Sequence, residues 1–186
     1  LARAYLEAYQ ATGNRFYADT ARSLLDYVLQ DLTGAGGGFL SAEDADSDGS
    51  EGAFYVWKKT DIDLILGGDS EAFCDWHGVT EQGNFENGTN ILHTPNDREE
   101  FLKTRKLTGA ELDRIVAEGK AKLLAERNKR ARPLKDDKVI ASWNGLMISS
   151  MAYGAQVLDE PKYALAADRA ADFIAANMRA DGQLHR

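Results

Sequence analysis

The sequence predicts a mainly α-helical protein made of repeated helical hairpins with an inserted β-hairpin. Three observations carry this expectation. Residues 15–32 show a helical apolar stripe, residues 161–178 repeat that stripe, and a short aromatic, β-branched run follows a glycine cluster between them. At 186 residues and 20.4 kDa the chain suffices for one sizeable core and is short for two. With 44% hydrophobic and 28% charged residues it falls among packed globular proteins rather than disordered chains.

Residues 1–12 read as an apolar helix, and Gly13-Asn14 makes a tight link to the next. In residues 15–32 the positions Tyr17, Ala21, Leu24, Leu25, Val28 and Leu32 line one helical face, with Asn14 as N-cap and Gly34 as the stop. Residues 37–41 and 53–57 read as two strands of a β-hairpin inserted over about residues 36–58, the second being Phe54, Tyr55, Val56 and Trp57 before its end. Thr60 with Asp63 suggests a helix start, residues 71–76 a short helix, and residues 78–94 a polar loop. Thr108 and Glu111 form a capping box ahead of a helix that runs toward Arg132-Pro133.

Residues 139–158 carry no charge, a length sufficient for a bilayer helix of about 20 residues. Ser142, Asn144, Ser149, Ser150 and Gln156 dilute the run, and Gly145, Ala152, Gly154 and Ala155 allow close approach, so it reads instead as an inner helix surrounded by protein. Pro161 opens the next helix, where Tyr163, Ala167, Ala170, Ala171, Ile174 and Met178 reproduce the earlier stripe, and Asp181-Gly182 ends it. The first hairpin therefore recurs in a register that carries Tyr17 onto Tyr163. Because the chain opens in mid-helix and stops just past a turn, it reads as a piece of a longer protein.

The net charge of -8 disfavours binding to phosphate backbones, so no nucleic-acid partner is expected, and no membrane partner either. A single cysteine, Cys74, excludes an intrachain disulfide framework and a cysteine-rich zinc site; its neighbours Phe73 and Trp76 mark it as packing, and the expected compartment is the cytoplasm. His77, His93 and His185 lack metal-binding spacing, and no glycine-rich phosphate loop is present, so neither a metal nor another cofactor is expected. Residues 60–97 are acidic and residues 127–138 basic, which fits two solvated faces or two segments lying against each other.

Three segments offer chemistry. Residues 41–52 crowd Glu43, Asp44, Asp46, Asp48 and Glu51 without a cation. Asp44, Asp46, Asp48 and Gly49 match the start of a calcium loop, but its twelfth position is Tyr55 instead of a bidentate Glu. An exposed turn, or a carboxylate pair for glycoside chemistry, is the other reading. Asp136, Asp137 and Lys138, followed by Trp143 and Asn144, supply an aromatic platform with polar groups suited to a sugar ring, or equally a helix cap and a core tryptophan. The loop with Glu81 and Asn84 either lines a cleft or lies on the surface.

The blocks GGGFLSAEDADSDGSEGAFYVW (36–57), HGVTEQGNFENGTNIL (77–92) and DDKVIASWNGLM (136–147) together resemble the thioredoxin-domain-containing protein family that includes the spermatogenesis-associated members. That resemblance implies part of an (α/α)6 toroid similar to the six-hairpin glycosidases and sugar 2-epimerases, with the family's thioredoxin-like domain absent from this chain. In such a toroid residues 1–12 and 139–158 are inner helices and the acidic segments share one rim. The resulting expectation is a protein that binds or processes carbohydrate. Glu43, Asp44, Asp46, Asp136 and Asp137 are its acid/base candidates, and Lys138, Trp143, Asn144, Glu81 and Asn84 its substrate contacts. The competing expectation is a non-catalytic scaffold that presents the thioredoxin-like domain to clients. Expected partners are a carbohydrate, the remainder of the parent chain and, through exposed inner-helix surface, a second copy.

Overall fold

The computed structural model describes residues 1–47, 49–181, 183 and 184. In chain order the helices are α1 (Ala2–Thr12), α2 (Arg15–Asp31), α3 (Lys59–Leu66), α4 (Ser70–Trp76), α5 (Arg98–Arg105), α6 (Gly109–Arg127), α7 (Ala141–Leu158) and α8 (Pro161–Asn177). The strands are two residues each: β1 (Ala42–Glu43), β2 (Asp46–Ser47), β3 (Ser50–Glu51), β4 (Lys135–Asp136), β5 (Arg179–Ala180) and β6 (Gln183–Leu184). The molecule is thus mainly helical, and it divides into two units, Leu1–Asp44 with Lys135–Arg186, and Ala45–Leu134. The expected stop Gly182 and the calcium-loop residue Asp48 lie outside the described residues, as do His185 and Arg186.

In the first unit α1–α2 and α7–α8 are helical hairpins. Gly13 closes α1 in the left-handed region at φ 67°, and the Asn14 side chain accepts the Phe16 N–H at 3.0 Å, so the predicted turn forms as a C-cap followed by an N-cap. Asp159 takes the left-handed position after α7, and Pro161 begins α8 where its missing N–H costs no hydrogen bond. Leu6, Ala21, Leu25, Met151, Tyr163 and Ala170 are fully buried between the helices. Each large one contributes about 1.5–3 kcal/mol by leaving water. Alanines and Gly154 bring the backbones close: a Cβ on Gly154 would stand 2.5 Å from Leu25 Cδ1.

The charge-free α7 is not enclosed as expected. Its buried stripe is Ala141, Asn144, Met151, Gly154 and Leu158, whereas Trp143 is 54% and Leu146 72% exposed. No helix among the described residues is long and apolar enough to cross a membrane.

The predicted β-hairpin over residues 36–58 is replaced by a different pairing. β1 pairs antiparallel with β4, Ala42 opposite Asp136 and Glu43 opposite Lys135, while β2 and β3 form a hairpin inside the acidic segment itself. Phe39 bridges to Thr33 and Trp57 to Asn90, so the two expected strands find other partners. The cause is local packing. Gly36 and Gly38 lie under Phe173, where added Cβ atoms would come within 2.7 and 2.8 Å of the ring, and Phe54 and Trp57 are drawn into the second unit's interior.

The second unit packs α3, α4 and α6 around Trp57, Ile62, Leu66, Phe73, Ile115 and Leu123, with Trp76, Phe101 and Leu112 forming a neighbouring cluster. Gly119 lets α6 approach α4, since a Cβ there would stand 2.5 Å from Phe73. The Thr108–Glu111 capping box forms as predicted, but α6 ends at Arg127, short of Pro133. α3 begins at Lys59 rather than at the Thr60 cap.

Candidate functional site

Asparagine side chains hold the polar loops by one recurring device. The Asn144 carboxamide accepts the Phe39 N–H at 2.8 Å and donates to the Phe39 carbonyl at 2.9 Å, a two-point imitation of a β-bridge. It also donates to the Ile140 carbonyl at 3.1 Å. Asn90 treats Thr80 in the same way, at 3.0 Å to both its N–H and its carbonyl. Asn84 treats Ile91 so, at 2.7 and 3.0 Å. Asn144 and Asn84, expected as substrate contacts, are therefore clamps within the fold, and Asn144 is only 1% exposed.

The Asn144 clamp fixes the strand approach of residues 39–43, and pairing with β4 then brings the first and second acidic segments together. Glu43 and Asp136 lie on neighbouring strands, with Asp44 and Asp137 following directly after them. Alternation along a strand sends them to different faces. Glu43 shares a face with Lys135; it accepts from the Tyr27 hydroxyl at 3.3 Å, and Lys135 donates to the Asp31 carbonyl at 2.5 Å. That face ties the ribbon to α2.

Asp136 takes the opposite face. Its carboxylate meets Lys138 Nζ at 3.0 Å, and its backbone carbonyl accepts from the Ser41 hydroxyl at 3.1 Å. The Lys138 contact, helped by Ser41, holds the Asp136 carboxyl below the usual carboxylate range, so it stays ionised. Asp44, Asp137 and Lys138 are exposed, and Trp143, predicted as either platform or core, presents its indole to solvent on the first turn of α7. The first unit thus holds four carboxylates and two ammonium groups, Lys135 and Lys138, on or beside the ribbon, with an exposed indole on the first turn of α7.

Asp46, Glu81 and Asn84 belong to the second unit. Asp46 pairs with Glu51 across the β2–β3 hairpin, which stands where a calcium loop was one reading. Among the described residues no group of three or more His, Cys, Asp or Glu side chains is placed to hold a metal ion. Glu81 is exposed beside a cleft of about 500 Å³ that also takes in Lys58, Lys59 and Asp63. A larger cleft of about 720 Å³ is lined by Glu51, Lys58, Asp61, Phe85, Glu86 and Arg130. Sequence reading did not single out this cleft. Its floor is set by Arg130, which stacks 3.9 Å over Trp57 and donates to the Ala53, Phe54 and Val56 carbonyls. The sequence signal for it is the paired excess of aromatics at 54–57 and arginines at 127–132.

Two further titratable groups are buried in the second unit. Burial pushes the Cys74 thiol up to about 11, which fits packing and not nucleophilic attack. His77 is 3% exposed, with Nδ1 2.9 Å from the His93 carbonyl and Nε2 buried without a hydrogen-bond partner among the described residues. Burial lowers its affinity for a proton, and the Lys120 charge adds to that effect.

Comparison with known proteins matches this framework to long polypeptides. The chain is 32% identical over 213 aligned positions to human spermatogenesis-associated protein 20, an alignment that takes in all of this chain and 27% of the human protein. It is homologous to a segment of that protein. The rat protein of the same name is 33% identical, with 94% of this chain and 25% of the rat protein covered. An uncharacterised protein of Caenorhabditis elegans is 31% identical, at 85% and 25% coverage. The chain spans about a quarter of the length of these relatives. No protein-family model matches it.

Proposed function

We propose that the first unit binds a carbohydrate at the β1–β4 ribbon and processes it with paired carboxylates. The observation that carries this reading is the register placing Ala42 opposite Asp136, which makes neighbours of acidic segments far apart in sequence. Glycoside chemistry needs one carboxylate that stays ionised and one that delivers a proton. Asp136, held ionised by Lys138, suits the base or nucleophile. Asp44 and Asp137, both exposed and just beyond the ends of β1 and β4, are the acid candidates, and Glu43 belongs to the face that anchors α2. The Trp143 indole offers an apolar surface for a sugar ring. A helical toroid joined to a thioredoxin-like domain, as the family resemblance implies, is the architecture in which this site would operate.

Titration of the protein with cellobiose and with N-acetylglucosamine oligomers, followed by tryptophan fluorescence and calorimetry, tests the proposal. The expected result is saturable binding that Trp143→Ala abolishes. Asp136→Asn retains binding and loses any product formation read by chromatography. Absence of binding to every neutral saccharide tried, or binding unaffected by Trp143→Ala, overturns it.

A further inference from the structure

The larger cleft of the second unit, about 720 Å³, has the size of a small-molecule site. Every residue that lines it comes from Ala45–Leu134, a continuous segment flanked on both sides by first-unit sequence. Its walls are fixed. Arg130 is held by three backbone carbonyls, and the Asn84 and Asn90 clamps close the segment that carries Phe85 and Glu86. Phe85 and Val56 meet over Gly52, where an added Cβ would stand 3.5 and 3.6 Å from them, and make an apolar strip.

The carboxylates of this cleft are uncommitted. Elsewhere in the unit Asp63 pairs with Lys59 at 2.7 Å, Asp69 with Arg114 at 3.0 Å and Glu71 with Arg105 at 2.7 Å. Glu51, Asp61 and Glu86, which line the cleft, have no ion-pair partner among the described residues. Cations are at hand but turned elsewhere: Arg127 stacks on Phe54 and Tyr55, and Arg130 on Trp57. The three carboxylates stand on β3, on α3 and in the turn after Phe85, and among the described residues no three acids are placed to hold one metal ion. An anion would meet three like charges. We propose that the cleft binds a linear polyamine, whose ammonium groups reach the separate carboxylates while its methylene spacers lie along Phe85 and Val56. The net charge of -8 draws such a cation toward the chain. Lys58, the exposed ammonium on the rim, opposes it. The first unit and its ribbon take no part in this binding.

Calorimetric titration of the whole chain with spermidine tests this. Saturable one-to-one binding is expected, weakening as salt rises. Glu86→Gln and Asp61→Asn each weaken it about threefold, and together about tenfold. Glu99→Gln, which removes the same charge from α5 outside the cleft, leaves it unchanged. Lys58→Gln tightens it about twofold. Butylamine, with a single ammonium, binds about tenfold more weakly than spermidine. The substituted side chains are exposed, so each variant keeps the native melting temperature. No saturable binding, equal weakening by Glu99→Gln and Glu86→Gln, weaker binding to Lys58→Gln, or butylamine bound as tightly as spermidine each overturns the proposal.

Discussion

The two units solve the packing problem with opposite materials. The first brings long helices together over Ala18, Ala21, Gly154, Ala167 and Ala170, so backbones approach closely and little volume separates them. The second packs the short α3, α4 and α5 with the long α6 around Trp57, Phe73, Trp76 and Phe101, so large rings fill the space between helices and loops. A core of small residues is broken by adding atoms, and a core of rings by removing them.

That contrast sets the order of expected effects. Phe73→Ala is expected to cost the second unit about 3–5 kcal/mol, read as a loss in the denaturant midpoint, because the ring is fully buried and its removal leaves a cavity. Gly154→Val, which adds volume where even a Cβ meets Leu25, is expected to cost the first unit about 2–3 kcal/mol by the same measurement. If the valine proves harmless, the close crossing of α7 on α2 is wrong. Asn144→Ala removes a carboxamide that serves both polar groups of Phe39 in a buried setting, and about 2 kcal/mol is expected. Asn84→Ala makes the same cut at an exposed clamp and should cost below about 1 kcal/mol, because water replaces the lost bonds.

The smallest effect concerns pH and separates the units again. His77 binds a proton less readily folded than unfolded, so the unfolded chain takes up more protons once pH falls below the ordinary histidine value of about 6.5. Stability of the second unit is therefore intact above that value and declines as pH drops from it toward the lower folded value. Thermal melts between pH 7.5 and pH 5, followed by circular dichroism, should show a shallower decline for His77→Asn than for the native chain. Equal slopes would remove His77 from the account.

The first unit was largely legible in the sequence. Tyr17, Ala21, Leu25 and Val28 repeat at helical spacing, and their echo at Tyr163, Ala167 and Ala171 identified a second hairpin. Asn14, Thr108 and Pro161 marked helix starts because capping is a local interaction. The strands were not legible. A β-propensity run such as Phe54–Trp57 states only that the segment suits a half-buried extended surface, and here its aromatics are claimed by Arg127 and Arg130 instead of by a neighbouring strand. Asn144 and Trp143 were given one task from the sequence, because spacing along the chain does not tell the two apart. Adjacent on one helix, they point to different sides, one 1% and the other 54% exposed.

By itself the sequence determined the helices, their hairpin turns, the repeat that relates them and the acidic character of the segments between. These depend on neighbours within a few residues or on a period visible in one dimension. Only the tertiary structure decided that β1 pairs with β4, that Glu43 and Asp136 take opposite faces of that ribbon, and that α7 keeps one side open. Such outcomes depend on which distant backbone groups satisfy one another's hydrogen bonds and which surfaces are near enough to exclude water, and no local pattern records that choice.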